Sequence, residues 1–260
     1  MKMKDNRKIW ILLLASFCIA LIFLQKGYQD AVKTDLTDTF APMSTAHYFG
    51  TDHLGRDIYS LMVDGAGRTM MTILIASFLS LCTGVFIGTW GAYFGGTIEI
   101  VVQFAVDILM IIPSFILALI ISAVMGLNPL TAGITLGISG IGDYANQAMI
   151  LTRQVKMRTF IFNEKAMGIP SFQIISRHII PNILPPILAA LGNRASSIAI
   201  QYASLSFIGL GADLTKPDWG ALLYQYRVYI IDKPMLLFWP GISIFLLAFT
   251  FHLIFDAREE

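Results

Sequence analysis

Charge is what this sequence has least of. Lys, Arg, Asp and Glu make up 13% of its 260 residues, where a soluble domain carries roughly 25%. The 18 basic and 17 acidic side chains leave a net charge of +1. That is no surplus for neutralising phosphates, so nucleic acid is not an expected partner. Cysteine is nearly absent: Cys18 and Cys82 both sit in apolar runs. With no Cys-x-x-Cys or Cys-His spacing they read as small packed or lipid-facing residues, and neither a disulfide nor a metal site is expected. The four histidines, His47, His53, His178 and His252, are scattered and form no ligand pattern. No Gly-x-x-x-x-Gly-Lys-Ser/Thr phosphate loop occurs. The chain is therefore not expected to hydrolyse ATP or to bind a cofactor of its own.

What fills the space is apolar. Hydrophobic residues make up 56% of the chain and the mean hydropathy is +0.69. A helix needs about 20 apolar residues to cross the bilayer core. Five segments qualify, at about 69–94, 98–125, 130–151, 183–204 and 235–255. Short strands cannot explain runs this long, whereas helices satisfy their own backbone groups in lipid. The run Ile9 to Leu24 is shorter, but Lys8 and Lys26 can extend outward from its ends. It lacks a small-x-small cleavage site, so it reads as an uncleaved first span. The expected fold is all-α: a polytopic membrane protein of about six transmembrane helices. Residues 1–68 hold a tail, the first span and an extracytoplasmic segment, and 69–260 form the core.

Orientation follows basic residues near the span ends. Lys2, Lys4, Arg7 and Lys8 precede the first span and place the N-terminus inside. Six spans then put the insert between spans four and five inside, where it carries Arg153, Lys156, Arg158, Lys165 and Arg177. The C-terminal "DAREE" also ends inside.

That insert, "FNEKAMGIPSFQIISRHIIPN", reads as two short helices with a joint at about 160–181. Gly168 can end the first in a left-handed conformation, and Pro170 suits the first turn of the second. Phe172, Ile175 and Ile179 are spaced as one apolar stripe. Arg177 and His178 sit near the C-terminal end, where the helix dipole favours cations. Pro181 is expected to stop the helix at the membrane. A plain amphipathic loop on the headgroups is the alternative.

"AMGIPSFQIISRHIIPNILPP" resembles the EAA loop of ATP-binding-cassette (ABC) importer permeases, with Gly168 and Pro181 thirteen apart as that pattern requires. The resemblance implies a type I ABC importer permease fold, and that Phe162, Asn163, Glu164, Ala166, Gly168, Pro170, Arg177 and Pro181 form the coupling region that docks on an ATPase. The family opens this loop with Glu-Ala-Ala; here Phe162-Asn163-Glu164 stands in its place. Two further stretches are similar to dipeptide, oligopeptide and nickel permeases of the C type. "FGTDHLGRDIYS" supplies Gly50, Asp52, Gly55, Arg56 and Asp57. "SLSFIGLGADLTKPDWG" supplies Ser206, Phe207, Gly209, Gly211 and Trp219. "DILMIIPSFILAL" fits the family's third span, with Phe104 where an Arg is usual.

The resemblance implies half of a translocation pathway in a bacterial plasma membrane, for peptides or for nickel or a metal chelate. It implies as partners a homologous permease, two ATPases that hold ATP and Mg, an extracytoplasmic binding protein and membrane lipid. On the residues alone, Asp52, Arg56 and Asp57 can form a charged turn, expected to be mainly structural, a lid over the outer mouth, with direct substrate contact as the alternative. Gly209 and Gly211 allow a bend at the outer end of span five that suits a gate.

Three charges fall within spans. Arg194 lies roughly 17 Å into span five by helical rise, where a charge costs about 2.5–3.5 kcal/mol. Either it lines a pathway and attracts carboxylates, or it pairs with Asp107, Asp143 or a partner permease. Two rival readings remain. "GIGD", ending at Asp143, matches an intramembrane aspartyl protease motif, with Asp107 as the second carboxylate, but Val106 replaces the Tyr expected before it. A secondary transporter would need internal repeats, and none is evident.

Overall fold

The computed structural model describes residues 33–209, 215–216 and 218–256, with side chains up to residue 252. The first span and its flanking lysines, Cys18 and Gly211 lie outside the described residues. All regular elements among the described residues are helical, and a β-bridge joins Thr51 to Asp57. The helices are α1 (Ile58–Phe94), α2 (Gly96–Ile111), α3 (Ser114–Met125), α4 (Pro129–Lys156) and α5 (Thr159–Ala166). They are followed by α6 (Ser171–Ile208), α7 (Trp219–Tyr226) and α8 (Met235–Asp256).

Among the described residues α1, α6 and α8 are each long and apolar enough to cross a membrane. The pair α2–α3 qualifies as one span bent by 74°. Helix α4 is long enough at 28 residues, about 42 Å by helical rise. It carries more polar residues because it packs against α1, α2, α3 and α6.

Two expectations need correction. The helix that carries span two begins at Ile58, eleven residues before the apolar run expected at 69. The Asp57 side chain caps it by accepting from Ser60 N at 2.8 Å, and its first turns are buried. Span three is not one straight helix. Pro113 pushes Ile112 to an extended conformation, φ −73° and ψ 117°, as the residue before a proline prefers, and the helix restarts at Ser114.

Helices α1 and α4 run parallel in close contact. Gly84 lies against Tyr144 and Gly88 against Ala145, while Gly133 meets Ile75 and Gly137 meets Leu79. Both pairs are Gly-x-x-x-Gly. In lipid no hydrophobic force drives helices together, so close backbone approach at small residues supplies van der Waals contact instead. Large apolar side chains point the other way, with Leu74, Phe78 and Phe86 exposed on α1.

Two apolar clusters fill the bundle. One joins Ile58, Leu61, Ile73, Leu136, Ile198, Tyr202, Trp219, Tyr226 and Leu236. The other joins Val85, Tyr93, Tyr144, Val155, Ile161, Ile174, Ile179 and Ile183 at the opposite end, where the insert lies.

A Cβ at Gly88 would lie 2.2 Å from the Ala145 carbonyl oxygen, whereas one at Gly67 meets nothing within 4 Å. Gly88→Ala is therefore expected to destabilise the protein by about 1–3 kcal/mol. Gly67→Ala is expected to be neutral, or to stabilise by up to about 1 kcal/mol. Thermal unfolding of both variants in detergent checks the contrast.

Candidate functional site

Three places carry the polar chemistry: the insert, a charged pair in mid-bundle, and the end that holds the 35–57 turn.

In the insert, α5 ends in a Schellman arrangement. Gly168 N donates to Lys165 O at 3.1 Å and Ile169 N to Glu164 O at 3.1 Å. Gly168 has a φ of +75°, a conformation that costs glycine little. Pro170 is the N-cap of α6, one residue earlier than expected. The first turns of α6 widen to π geometry over Ile175–Ile179, and Ile180 N donates to Ile175 O. Pro181 does not stop the helix. It comes directly after the widened turn, where a missing N–H and a bulky ring are tolerated, and the helix continues to Ile208. Asn182 Nδ2 donates to the His178 carbonyl at 2.7 Å.

The expected apolar stripe is split. Ile175 and Ile179 are buried with Ile161 and Ile174, but Phe172 is 70% exposed. The π turn explains this, since an extra residue in the turn rotates the succeeding side chains away from α-helical register. Phe162 and Met167 are also exposed, at 72% and 69%, and Asn163, Ala166, Arg177 and Pro181 are exposed beside them. Glu164 Oε1 lies 2.7 Å from His178 Nε2. The acid thus braces the two insert helices against each other. Lys165 sits over the Tyr93 ring at 4.6 Å.

In mid-bundle, Arg194 Nη1 lies 2.6 Å from Asp143 Oδ2. The guanidinium fits because residue 140 is glycine; a Cβ there would be 2.9 Å from Arg194 Nη2. Of the expected partners, Asp143 is the one found. Asp107 instead accepts from Gln103 Nε2 at 2.7 Å on α2. The two aspartates of the protease reading are therefore engaged separately, one by a cation and one by an amide.

At the far end, Asp52 is fully buried. It accepts from Leu54 N at 2.8 Å, Arg56 N at 3.0 Å, Arg56 Nε at 2.8 Å and Tyr226 Oη at 3.1 Å. Arg56, also buried, reaches Gln225 Oε1 at 2.8 Å. Gly55 makes the turn possible with a φ of +69°, and Gly50 is likewise left-handed. Within this turn the Asp52 and Arg56 charges are sealed against each other. Burial, with Asp52 adding to it, pushes the Tyr226 phenol well above its ordinary range, so it stays protonated and donates. Burial lowers the His53 pKa beside it, and the Arg56 charge adds to the lowering against the opposing pull of Asp52.

Ser206 Oγ donates to Asp218 Oδ2 at 2.8 Å. Gly209 ends α6 in a left-handed conformation, and Phe207 is exposed just before it. Trp219 Nε1 donates to Met62 O at 2.8 Å. Asp218, absent from the sequence candidates, caps α7 through Gly220 N and Ala221 N at 2.9 and 3.1 Å. Its signal is an Asp directly before an apolar helical run. His47, one of the four scattered histidines, lies 3.0 Å from Asp57 and 3.3 Å from Asp38. Among the described residues no group of three His, Cys, Asp or Glu could hold a metal ion.

An ion pair within a span leaves a charge unsatisfied when one partner goes. Arg194→Gln alone is expected to lower stability by about 2–3 kcal/mol. Arg194→Gln with Asp143→Asn is expected to recover most of that. Unfolding midpoints in detergent compare the two.

Residues 80–258 match the family described as binding-protein-dependent transport system inner membrane component. The chain is 31% identical over 232 residues to the "Probable D,D-dipeptide transport system permease protein DdpC" of Escherichia coli K12, covering 89% of this chain and 78% of that one. It is 29% identical over 262 residues to the dipeptide transport system permease protein DppC of Alkalihalophilus pseudofirmus, covering 100% and 86%. It is 32% identical over 217 residues to the glutathione transport system permease protein GsiD of an Escherichia coli O6 strain, covering 84% and 72%.

Proposed function

This chain belongs to the family of binding-protein-dependent transport system inner membrane components, and we propose that its insert is the part that couples it to an ATP-hydrolysing partner. The chain is a membrane-spanning permease subunit of an ABC importer. The finer reading is ours. The insert faces the cytoplasm, which is supported by five basic residues at the end of α4 and in the insert region after it, Arg153, Lys156, Arg158, Lys165 and Arg177. Closure of the ATPase dimer around ATP pushes α5 and the start of α6, and the long helix carries that push to Arg194. A homologous permease completes the pathway, and an extracytoplasmic binding protein delivers the cargo to the end built around Asp52 and Trp219. Two states suffice, provided that the ligands bind them unequally.

One observation carries the coupling reading. Phe162, Met167 and Phe172 are exposed on an insert whose other face is docked on buried Ile161, Ile174, Ile175 and Ile179. Exposed aromatic side chains on a braced scaffold are what a protein groove grips, and truncating such an anchor typically costs about 2 kcal/mol or more. Arg194, Asp143 and Asp107 are the proposed polar points of the pathway. The proposed cargo is a short peptide, in line with the dipeptide and glutathione systems named for the three relatives. Nickel or a metal chelate has no counterpart among those three names.

The test is crosslinking from Phe172→Cys in a background with Cys18 and Cys82 changed to Ser, in inside-out vesicles. A crosslink to an ATP-binding subunit, altered by ATP, is expected. Labelling of Phe172→Cys by an impermeant thiol reagent from outside intact cells, or no crosslink to any ATPase, would overturn the reading.

A further inference from the structure

We propose that a cavity beside the insert holds the phosphate headgroup of an anionic phospholipid. The cavity has a volume of about 540 Å³ and is lined by Glu99, Arg153, Lys156 and Lys165 together with Met157 and Phe162. Three cations against one carboxylate leave two positive charges. Glu99 is committed to Arg153, with Oε1 2.5 Å from Nε. Lys156 Nζ bonds to the Ala92 carbonyl at 3.1 Å, and Lys165 rests over Tyr93. Neither lysine forms a direct ion pair among the described residues, although the Glu99 charge also acts on Lys156. Two like charges facing one cavity repel, and an anion seated between them removes that repulsion.

The surroundings select a lipid over a free phosphate. The cavity shares Glu99 and Arg153 with a groove that runs along α2 past Ile100 and Phe104 to Asp107. Within that groove Asp107 and Gln103 are bonded to each other. Ile100, Phe104, Ile108 and Ile111 are all exposed, at helical spacing on one face of α2. From Ile100 to Ile111 the helix rises about 17 Å, close to the depth of one leaflet in a hydrocarbon core of about 30 Å. A basic pocket at a helix end with an apolar stripe leading away from it matches a head and a tail. Basic pockets between membrane helices recognise anionic headgroups in this way. The inference rests on the chain lying in a membrane. Its failure would leave the crosslinking outcome at Phe172 untouched.

Native mass spectrometry tests it on the full-length chain in mild detergent, titrated with phosphatidylglycerol or phosphatidylcholine. One phosphatidylglycerol is expected to bind about tenfold tighter than phosphatidylcholine, and Lys165→Glu is expected to remove that preference. Lys165 is exposed, so its reversal removes only its contact with the Tyr93 ring and should lower the unfolding midpoint slightly, and Lys156→Gln with Lys165→Gln should repeat the loss. Equal binding of the two lipids, or a preference unchanged in Lys165→Glu, would overturn the proposal. Displacement of the lipid by millimolar glycerol 3-phosphate would make a soluble anion the ligand and overturn it too. So would release of the lipid when the ATPase partner is added, because a protein would then cover the cavity.

Discussion

The unbroken helix from Ser171 to Ile208 is the constraint on which the rest depends. It spans about 57 Å by helical rise and meets all three polar sites. Near its start His178 holds Glu164 of α5, and Arg194 midway holds Asp143 of α4. Near its end Ser206 holds the Asp218 cap of α7. Each bond alone is modest. Strung along one helix, they tie the insert to the mid-bundle charge and to the buried turn at the opposite end. Under the proposed coupling, a push on the insert displaces the whole rod, and the polar pairs are where it registers.

Such a rod needs a frame to move against. The parallel α1 and α4 helices provide it, with Gly84, Gly88, Gly133 and Gly137 bringing the backbones together. Side chains at those positions would force the helices apart. The frame is apolar at both ends, while Arg194, Asp143 and Gly140 lie between the two clusters. A polar break between two packed cores is where a membrane protein can shift without exposing either core. At the Asp52 end the opposite design holds: the buried carboxylate, the Arg56 guanidinium and the Tyr226 hydroxyl close on one another.

Much of this was legible in the amino-acid sequence, for identifiable reasons. Long apolar runs report membrane helices because lipid leaves the backbone no alternative. Gly168 and Pro170 marked the joint because their backbone preferences are local. The start of α1 was missed because its first turns are buried by loop and α7 residues, and hydropathy windows do not see that contact. The break at Pro113 was legible from the residue-before-proline rule and was overridden by the apolar run on both sides. The split of Phe172 from Ile175 and Ile179 was not legible, since spacing arguments assume α geometry and the turn is π. Arg194 had several candidate partners, all distant in the chain, and only packing selects Asp143. The two Gly-x-x-x-Gly pairs were in plain view, but nothing in the sequence alone says which helices they join.

The central claim is that the insert and the mid-bundle charge move as one body. ATP-driven uptake in proteoliposomes tests it most directly, using the assembled importer with Gly-Gly inserted after Ile179, between the insert and Arg194. The account predicts that the ATPase still binds and hydrolyses ATP while uptake falls to background. Uptake at the wild-type rate with the rod interrupted would contradict it.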